Sequence, residues 1–298
     1  MDKTWNHVVW LASEPRPAES DRLEECRQYC ERELTAAGWV VERRAFSAND
    51  SAQRSLEGIN LVATRPLEES AVGRPAFVLG AHLDSREETP GADDNASAVA
   101  ALLETARVLN ERLSEHDWKQ AAVELELVVF DLEEHGMLGG AFHAETCRQS
   151  QRELCGMVSL EMLGYCSNQQ GSQQMPPELQ GIYPDVGNFI GVVGNQISAT
   201  LIKHFSAAFD TIEELPNESL QVPDNGLPVP PTRLSDHSPY WDAGYPALMI
   251  TDTSFMRNPH YHLETDTPET LDPAFLAKVT NGVIVAMQKL LSDGLTDD

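Results

Sequence analysis

The sequence predicts an α/β fold in which helices cover both faces of one β-sheet. Three observations carry that expectation. Apolar, β-branched runs alternate with amphipathic helical stretches along the chain, residues 75–84 (PAFVLGAHLD) are almost continuously apolar, and no internal repeat is visible. A strand apolar on both of its faces belongs in the middle of a covered sheet. With 298 residues, the chain is long enough to bury one large core.

Residues 20–38 read as a helix. Ser20 or Asp21 caps its start, Leu23, Cys26, Tyr29, Cys30 and Leu34 form one apolar stripe, and Gly38 ends it. Residues 39–46 and 58–65 are short β-branched strands joined by a polar loop, and 75–84 is the central strand. An amphipathic helix over 95–114 is opened by Asn95 or Ser97. Residues 122–134 form the next strand and 139–151 a helix, followed by strands at 154–163, 188–194 and 246–253. Helices near 196–210 and 272–292 complete the alternation. The stretches 165–186 and 211–235 are rich in Pro, Gly, Ser, Asn and Gln, and they read as long loops. The same alternation resumes after each, so the expectation is one domain over residues 1–298 rather than two joined by a linker.

The chain carries 21 Lys and Arg against 47 Asp and Glu, a formal net charge of −26. That excess argues against phosphate backbones and anionic membranes as partners. The start, MDKTWNHVVWLASEP, lacks an apolar stretch of signal-peptide length, and no window approaches the ~18 continuous apolar residues of a membrane span. The expectation is a cytoplasmic protein, and nothing in the pattern fixes an oligomeric state. The cysteines Cys26, Cys30, Cys147, Cys155 and Cys166 are odd in number and include no Cys-x-x-Cys pair, so disulfides do not supply the framework. Cys26 and Cys30 read as neighbours on one helix face rather than as a metal clip.

Four segments concentrate His, Asp and Glu, three of them at or just past the carboxyl end of an apolar strand, where open α/β sheets bind ligands. In His82-Leu83-Asp84 the two polar side chains share a strand face, and a carboxylate beside an imidazole leaves its other nitrogen free for a metal. Asp93-Asp94-Asn95 precedes the long helix, where one acid is an ordinary cap but two are one too many. Asp131-Leu132-Glu133-Glu134-His135-Gly136 follows the apolar run VELELVVF within the 122–134 strand stretch, and Tyr261-His262-Leu263-Glu264-Thr265-Asp266-Thr267 comes late in the chain. Imidazoles and carboxylates without cysteine suit zinc, cobalt or manganese. Of two adjacent glutamates, one can serve as a ligand and the other as a base. The constellation is that of a hydrolase that needs no Ser or Cys nucleophile.

The segments GAHLDS (80–85), PGADDNASA (90–98), DLEEHGMLGG (131–140), SLEMLGY (159–165), SDHSPYW (235–241), GYPALMITDT (244–253) and YHLETDT (261–267), in that order, resemble the zinc aminopeptidases of metallopeptidase family M28. The resemblance implies a three-layer αβα sandwich around a mixed, mostly parallel sheet of about eight strands. It makes Asp94 the carboxylate bridging two zinc ions, with His82 and Glu161 completing one shell and Glu134 and His262 the other. Glu133 matches the general base, Tyr261 the hydroxyl donor to the oxyanion, and Asp84 the carboxylate behind His82. Asp266 joins the acids that the site uses behind its ligands, and Asp236 and His237 fall near the site with no firm role. Glu161 stands where the family commonly has Asp, and Ala98 where Gly is usual.

The activity implied is removal of an N-terminal residue from a peptide with a free amino terminus. Two alternatives share the scaffold: a glutaminyl cyclase with a single zinc and commonly Trp before the last histidine, and a non-catalytic interaction domain, whose members typically lose ligands. For the substrate pocket, Tyr165, Tyr240, Trp241, Phe255 and Met256 read equally as an apolar wall or as core beneath a loop. Arg233 and Arg257 read as surface ion pairs or as contacts to substrate.

Overall fold

The computed structural model describes residues 3–65 and 73–295. The helices α1 (Lys3–Leu11) and α2 (Asp21–Ala36) lead into the strands β1 (Val40–Asn49) and β2 (Ser55–Thr64). Next come β3 (Ala76–His82), α3 (Ala98–Arg112), α4 (Glu115–Gln120), β4 (Glu124–Phe130), α5 (Leu138–Gln149) and β5 (Leu154–Glu161). The chain then forms β6 (Ile190–Asn195), α6 (Ala199–Phe209), β7 (Asn217–Val222), α7 (His237–Asp242), β8 (Ala247–Thr251) and α8 (Pro273–Asp293).

One eight-stranded sheet runs in the order β1-β2-β4-β3-β5-β8-β6-β7. The inner four strands, β4, β3, β5 and β8, are parallel, so their carboxyl ends share one edge. β2 joins β4, and β6 joins β8, in the antiparallel sense. All seven residues of β3 are buried. Phe77, Leu79 and Ala81 pack with α2, α3, α6 and α8, whereas Ala76 and Val78 pack with α5 and α7. Helices on both faces thus account for the unbroken apolar run, since alternate side chains leave on opposite sides. Each fully buried Leu or Phe contributes about 1.5–3 kcal/mol relative to exposure.

Ser20 caps α2 by accepting the Leu23 amide, and Leu23, Cys26, Cys30 and Leu34 are buried, as their spacing predicts. All five cysteines are free thiols. Two expectations need correction. The 211–235 stretch is not all loop, because residues 217–222 form edge strand β7 beside β6; four of its six residues are polar, Glu218 even on the half-buried face, which hides the period-2 signal. Neither Asn95 nor Ser97 caps α3, as both side chains turn instead to the chain around the end of β5. In addition, α8 is long and apolar enough to cross a membrane, although the sequence contains no continuous apolar window of that length. Its apolar face is used in the core, where Phe275, Leu276, Val279, Val283 and Leu290 are buried.

Candidate active site

The carboxyl ends of the parallel strands bring the four polar segments together. His82 ends β3, Glu161 ends β5, and the turn after β4 carries Glu133 and Glu134. That turn passes through Leu132 at φ 57°, and Met162 (φ 51°) and His262 (φ 58°) share the same left-handed backbone. Non-glycine residues held there store roughly 1–3 kcal/mol each, and they gather where side chains must be aimed. Gly91, at φ 63°, starts the turn that presents Asp94; a Cβ on it would lie 2.2 Å from the Asp94 carbonyl oxygen.

Asp94 lies between two imidazoles. Its Oδ1 is 3.2 Å from His82 Nε2, and its Oδ2 is 3.1 Å from His262 Nε2. Glu161 Oε1 lies 3.6 Å from His82 Nε2, and Glu134 Oε2 lies 3.3 Å from His262 Nε2. His82, Asp94 and Glu161 form one set, and Asp94, Glu134 and His262 another, with one donor atom per residue within 4.8 Å of the rest. His82 Nε2 is buried and faces carboxylates without a well-formed hydrogen bond. A buried donor set of imidazole and carboxylate around such an orphaned nitrogen fits zinc. Glu133 Oε2 is 3.9 Å from His82 Nε2 and belongs to neither set.

The electrostatics point the same way. Burial raises the carboxyl of Asp94, but the neighbouring His262 and His82 imidazoles outweigh it and hold Asp94 well below the usual range. Burial tends to lower both histidines; Glu161 and Glu133 raise His82 well above its usual value, and Asp94 and Glu134 raise His262 to about 9. Burial pushes Glu133 well above the glutamate range against the pull of His82, and repulsion from Glu161, Asp236 and Glu134 adds to the rise. These are acids crowded enough to need a shared cation.

Supporting residues fix the ligands. The carboxylate of Asp84 accepts the amides of Glu133 and Glu134 at 3.0 and 3.1 Å. His82 Nδ1 lies nearer the Asp84 carbonyl oxygen (3.1 Å) than its carboxylate (3.6 Å). Asp84 therefore orients the Glu133–Glu134 turn as well as the imidazole. Asp266 accepts the amides of Asp93 and Asp94. Ser235 donates to Glu161 at 2.7 Å, Asn258 to Asp93 at 2.6 Å, and Arg86 pairs with Glu134 at 3.0 Å. None of these three is apparent in the sequence, where each is an ordinary polar loop residue. Both carboxylate oxygens of Asp236 are buried without a hydrogen-bond partner, and burial pushes the group up to about 8. His237 is buried too, with Nε2 on the Thr232 carbonyl. Tyr261 stacks on His262, ring centroids 3.6 Å apart, and burial raises its phenol.

A cavity of about 250 Å³ opens beside the two donor sets, lined by Met175, Phe189, Val193, Leu220, Met249 and Phe255 among others. Of the residues proposed for its wall, Phe255 and Met256 line it, whereas Tyr240 and Trp241 are core. Tyr165 packs, half-buried, against the other core cluster. Arg233 pairs with Asp242 at 2.6 Å. Arg257 is neither a surface pair nor a substrate contact: it is buried over Phe189, bonding Gln173 and the Phe189 carbonyl.

Comparison with known proteins agrees with this geometry. The family model described as Peptidase family M28 matches residues 60–287. The uncharacterized protein YfbL of Escherichia coli K12 is 33% identical over 297 residues, 96% of this chain and 86% of that protein. A probable leucine aminopeptidase of Arthroderma otae is 26% identical across 80% of this chain, which spans 61% of that relative's length. In fold, the aminopeptidase from Aneurinibacillus sp. strain AM-1 matches with a TM-score of 0.73 at 17% identity, covering 99% of this chain and 95% of that one. The Porphyromonas gingivalis glutaminyl cyclase matches with a TM-score of 0.71 at 18% identity, covering 97% of each. With a family model over most of its length and a near full-length relative above 30% identity, the chain is a member of peptidase family M28.

Proposed function

We propose that the chain is a zinc-dependent aminopeptidase that hydrolyses the N-terminal amide bond of peptides. The observation that carries the reading is Asp94, whose two oxygens face His82 and His262 from two separate donor sets. His82, Asp94 and Glu161 would hold one ion, and Asp94, Glu134 and His262 a second. Zinc bound there supplies Lewis acidity toward water and the scissile carbonyl.

The chain's own groups supply the rest. Glu133 coordinates nothing in either set, and its raised proton affinity suits it to accept a proton from water and return it to the leaving amine. Tyr261 keeps its phenolic proton at neutral pH and lines the cavity, so it can donate a hydrogen bond to the developing oxyanion. Asp94, Glu133, Glu134 and Glu161 give the cavity mouth a negative field that attracts a free α-ammonium.

The test is hydrolysis of aminoacyl-coumarins by the metal-loaded protein, with and without chelator, alongside metal analysis. Glu133→Gln is expected to lower kcat/KM by ~10²–10⁴ at unchanged metal content; a loss under tenfold would remove Glu133 from the base role. Two donor sets favour two ions over the single zinc of the cyclase alternative. Cyclisation of N-terminal glutamine by a protein holding one ion would displace this reading.

A further inference from the structure

The register of the sheet extends the site away from the metal ligands. Glu161 on β5 pairs with Thr251 on β8, Thr251 with Gly191 on β6, and Gly191 with Glu218 on β7. These four residues form one row across the sheet on one face, and all four line the cavity. The neighbouring row on that face is Ser159, Met249, Val193 and Leu220, of which the last three line the cavity as an apolar wall. Gly191 brings no side chain, so the floor between Thr251 and Glu218 is backbone, with the Thr251 and Thr253 methyl groups beside it.

Glu218 closes the far end of this trough. It is half-buried on the edge strand, and burial alone, with no charged neighbour acting on it, raises its carboxyl above the usual value. Tyr183, beside it, has its hydroxyl committed to the Ser219 carbonyl at 2.9 Å. A carboxylate at the end of an apolar channel, with no cation paired to it among the described residues, is set to receive one from a ligand.

Length decides which ligand. Three interstrand steps of about 4.8 Å put the backbones of Glu161 and Glu218 about 14 Å apart. The two glutamate side chains take up part of that span from either end, and the side chain of a substrate whose α-amine lies among the ligand carboxylates crosses the rest. Five or six bonds, each advancing about 1.2 Å, carry the charge of an extended lysine or arginine about 6–7 Å from Cα. A leucine side chain, three bonds long, stops at roughly half that reach and leaves Glu218 unpaired.

We propose that the cavity selects peptides beginning with arginine or lysine, the aliphatic stem lying over Met249, Val193 and Leu220 and the cation on Glu218. This rests on the aminopeptidase reading for its chemistry, but the pocket itself is tested by binding. Calorimetry on the zinc-loaded protein would compare free L-arginine, L-lysine, L-norleucine and L-leucine. Lysine is expected to bind at least tenfold tighter than norleucine, its uncharged counterpart in shape. In Glu218→Gln that ratio falls toward one, and in Glu218→Lys it inverts. Hydrolysis of the matching aminoacyl-coumarins should show the same ratios, chiefly in KM; a purely structural role for Glu218 would lower all substrates alike.

Norleucine binding as well as lysine in the wild type, or a ratio untouched by Glu218→Gln, overturns the proposal. Preferential binding of arginine and lysine without any hydrolysis would instead uphold the pocket and sink the peptidase reading.

Discussion

The carboxylate of Asp266 accepts the backbone amide of Asp94 at 3.1 Å while its other oxygen takes the amide of Asp93 at 2.9 Å. The residue that both donor sets share is thus held by its main chain from behind, through an acid 172 positions further along. Burial, with repulsion from Asp93, pushes Asp266 up to about 7 against those two amide bonds. Asp266→Asn turns an NH₂ group toward one of the amides. Expected are a zinc affinity lower by about 10–100-fold and a stability loss of roughly 1–3 kcal/mol. Competition against a chromogenic chelator measures the first; affinity equal to wild type would mean Asp94 needs no such support.

Glu161 reaches its position with help. Ser235 donates to its Oε2 at 2.7 Å while Oε1 faces His82. Glu161→Asp is one methylene shorter and cannot serve both. The variant is expected to retain one ion where two are expected of the wild type, read by metal analysis after gel filtration. Two ions in the variant would show that the length of Glu161 is immaterial.

Metal removal should unfold the protein more easily. Asp94, Glu133, Glu134 and Glu161 crowd one end of the cavity, and a cation at 100 times its Kd adds about 2.7 kcal/mol. Chelation is expected to lower Tm by roughly 5–10 °C. Because the carboxylates raise His262 to about 9 and His82 well above its usual value, zinc binding there would displace protons from both imidazoles. Affinity should therefore fall as pH drops from 8 to 6, with proton release seen in buffers of differing ionisation enthalpy. A pH-independent affinity would contradict the ligand assignment.

Between α5 and α7, His143 is buried beside the Tyr240 hydroxyl (2.7 Å) and 3.6 Å from Glu126. Burial, outweighing the attraction of Glu126, pushes it down to about 4. The folded chain keeps it neutral where the unfolded chain, near 6.5, takes up a proton. Its contribution is whole above pH 6.5 and is lost as pH falls toward 4, on the order of 3 kcal/mol. Tm should fall more steeply between pH 7 and 4.5 in wild type than in His143→Asn. Parallel curves would show that His143 is not the sensitive group.

The helical stripe of α2, the unbroken apolar run of β3 and the residue types of the ligands were all readable along the chain. They are local: a period of 3.6 or an apolar strand with helices on both sides leaves its mark within ten or twenty residues. The order of the ligand segments was equally readable, because each follows an element whose pattern is strong. Edge strand β7 was not, since only one of its faces is half-buried and its sequence is polar.

What the tertiary structure decided is which carboxylate does what. Asp84, Asp131 and Asp236 are as acidic in the sequence as Asp94. Folding places Asp84 on two amides, pairs Asp131 with Arg27 at 2.6 Å, leaves Asp236 without a partner, and puts Asp94 between two imidazoles. The same is true of the row from Glu161 to Glu218, whose members are brought together only by strand register. Local periodicity fixes which residues form a strand and which way they face; register and strand order depend on contacts between residues tens of positions apart, and those exist only once the chain has packed.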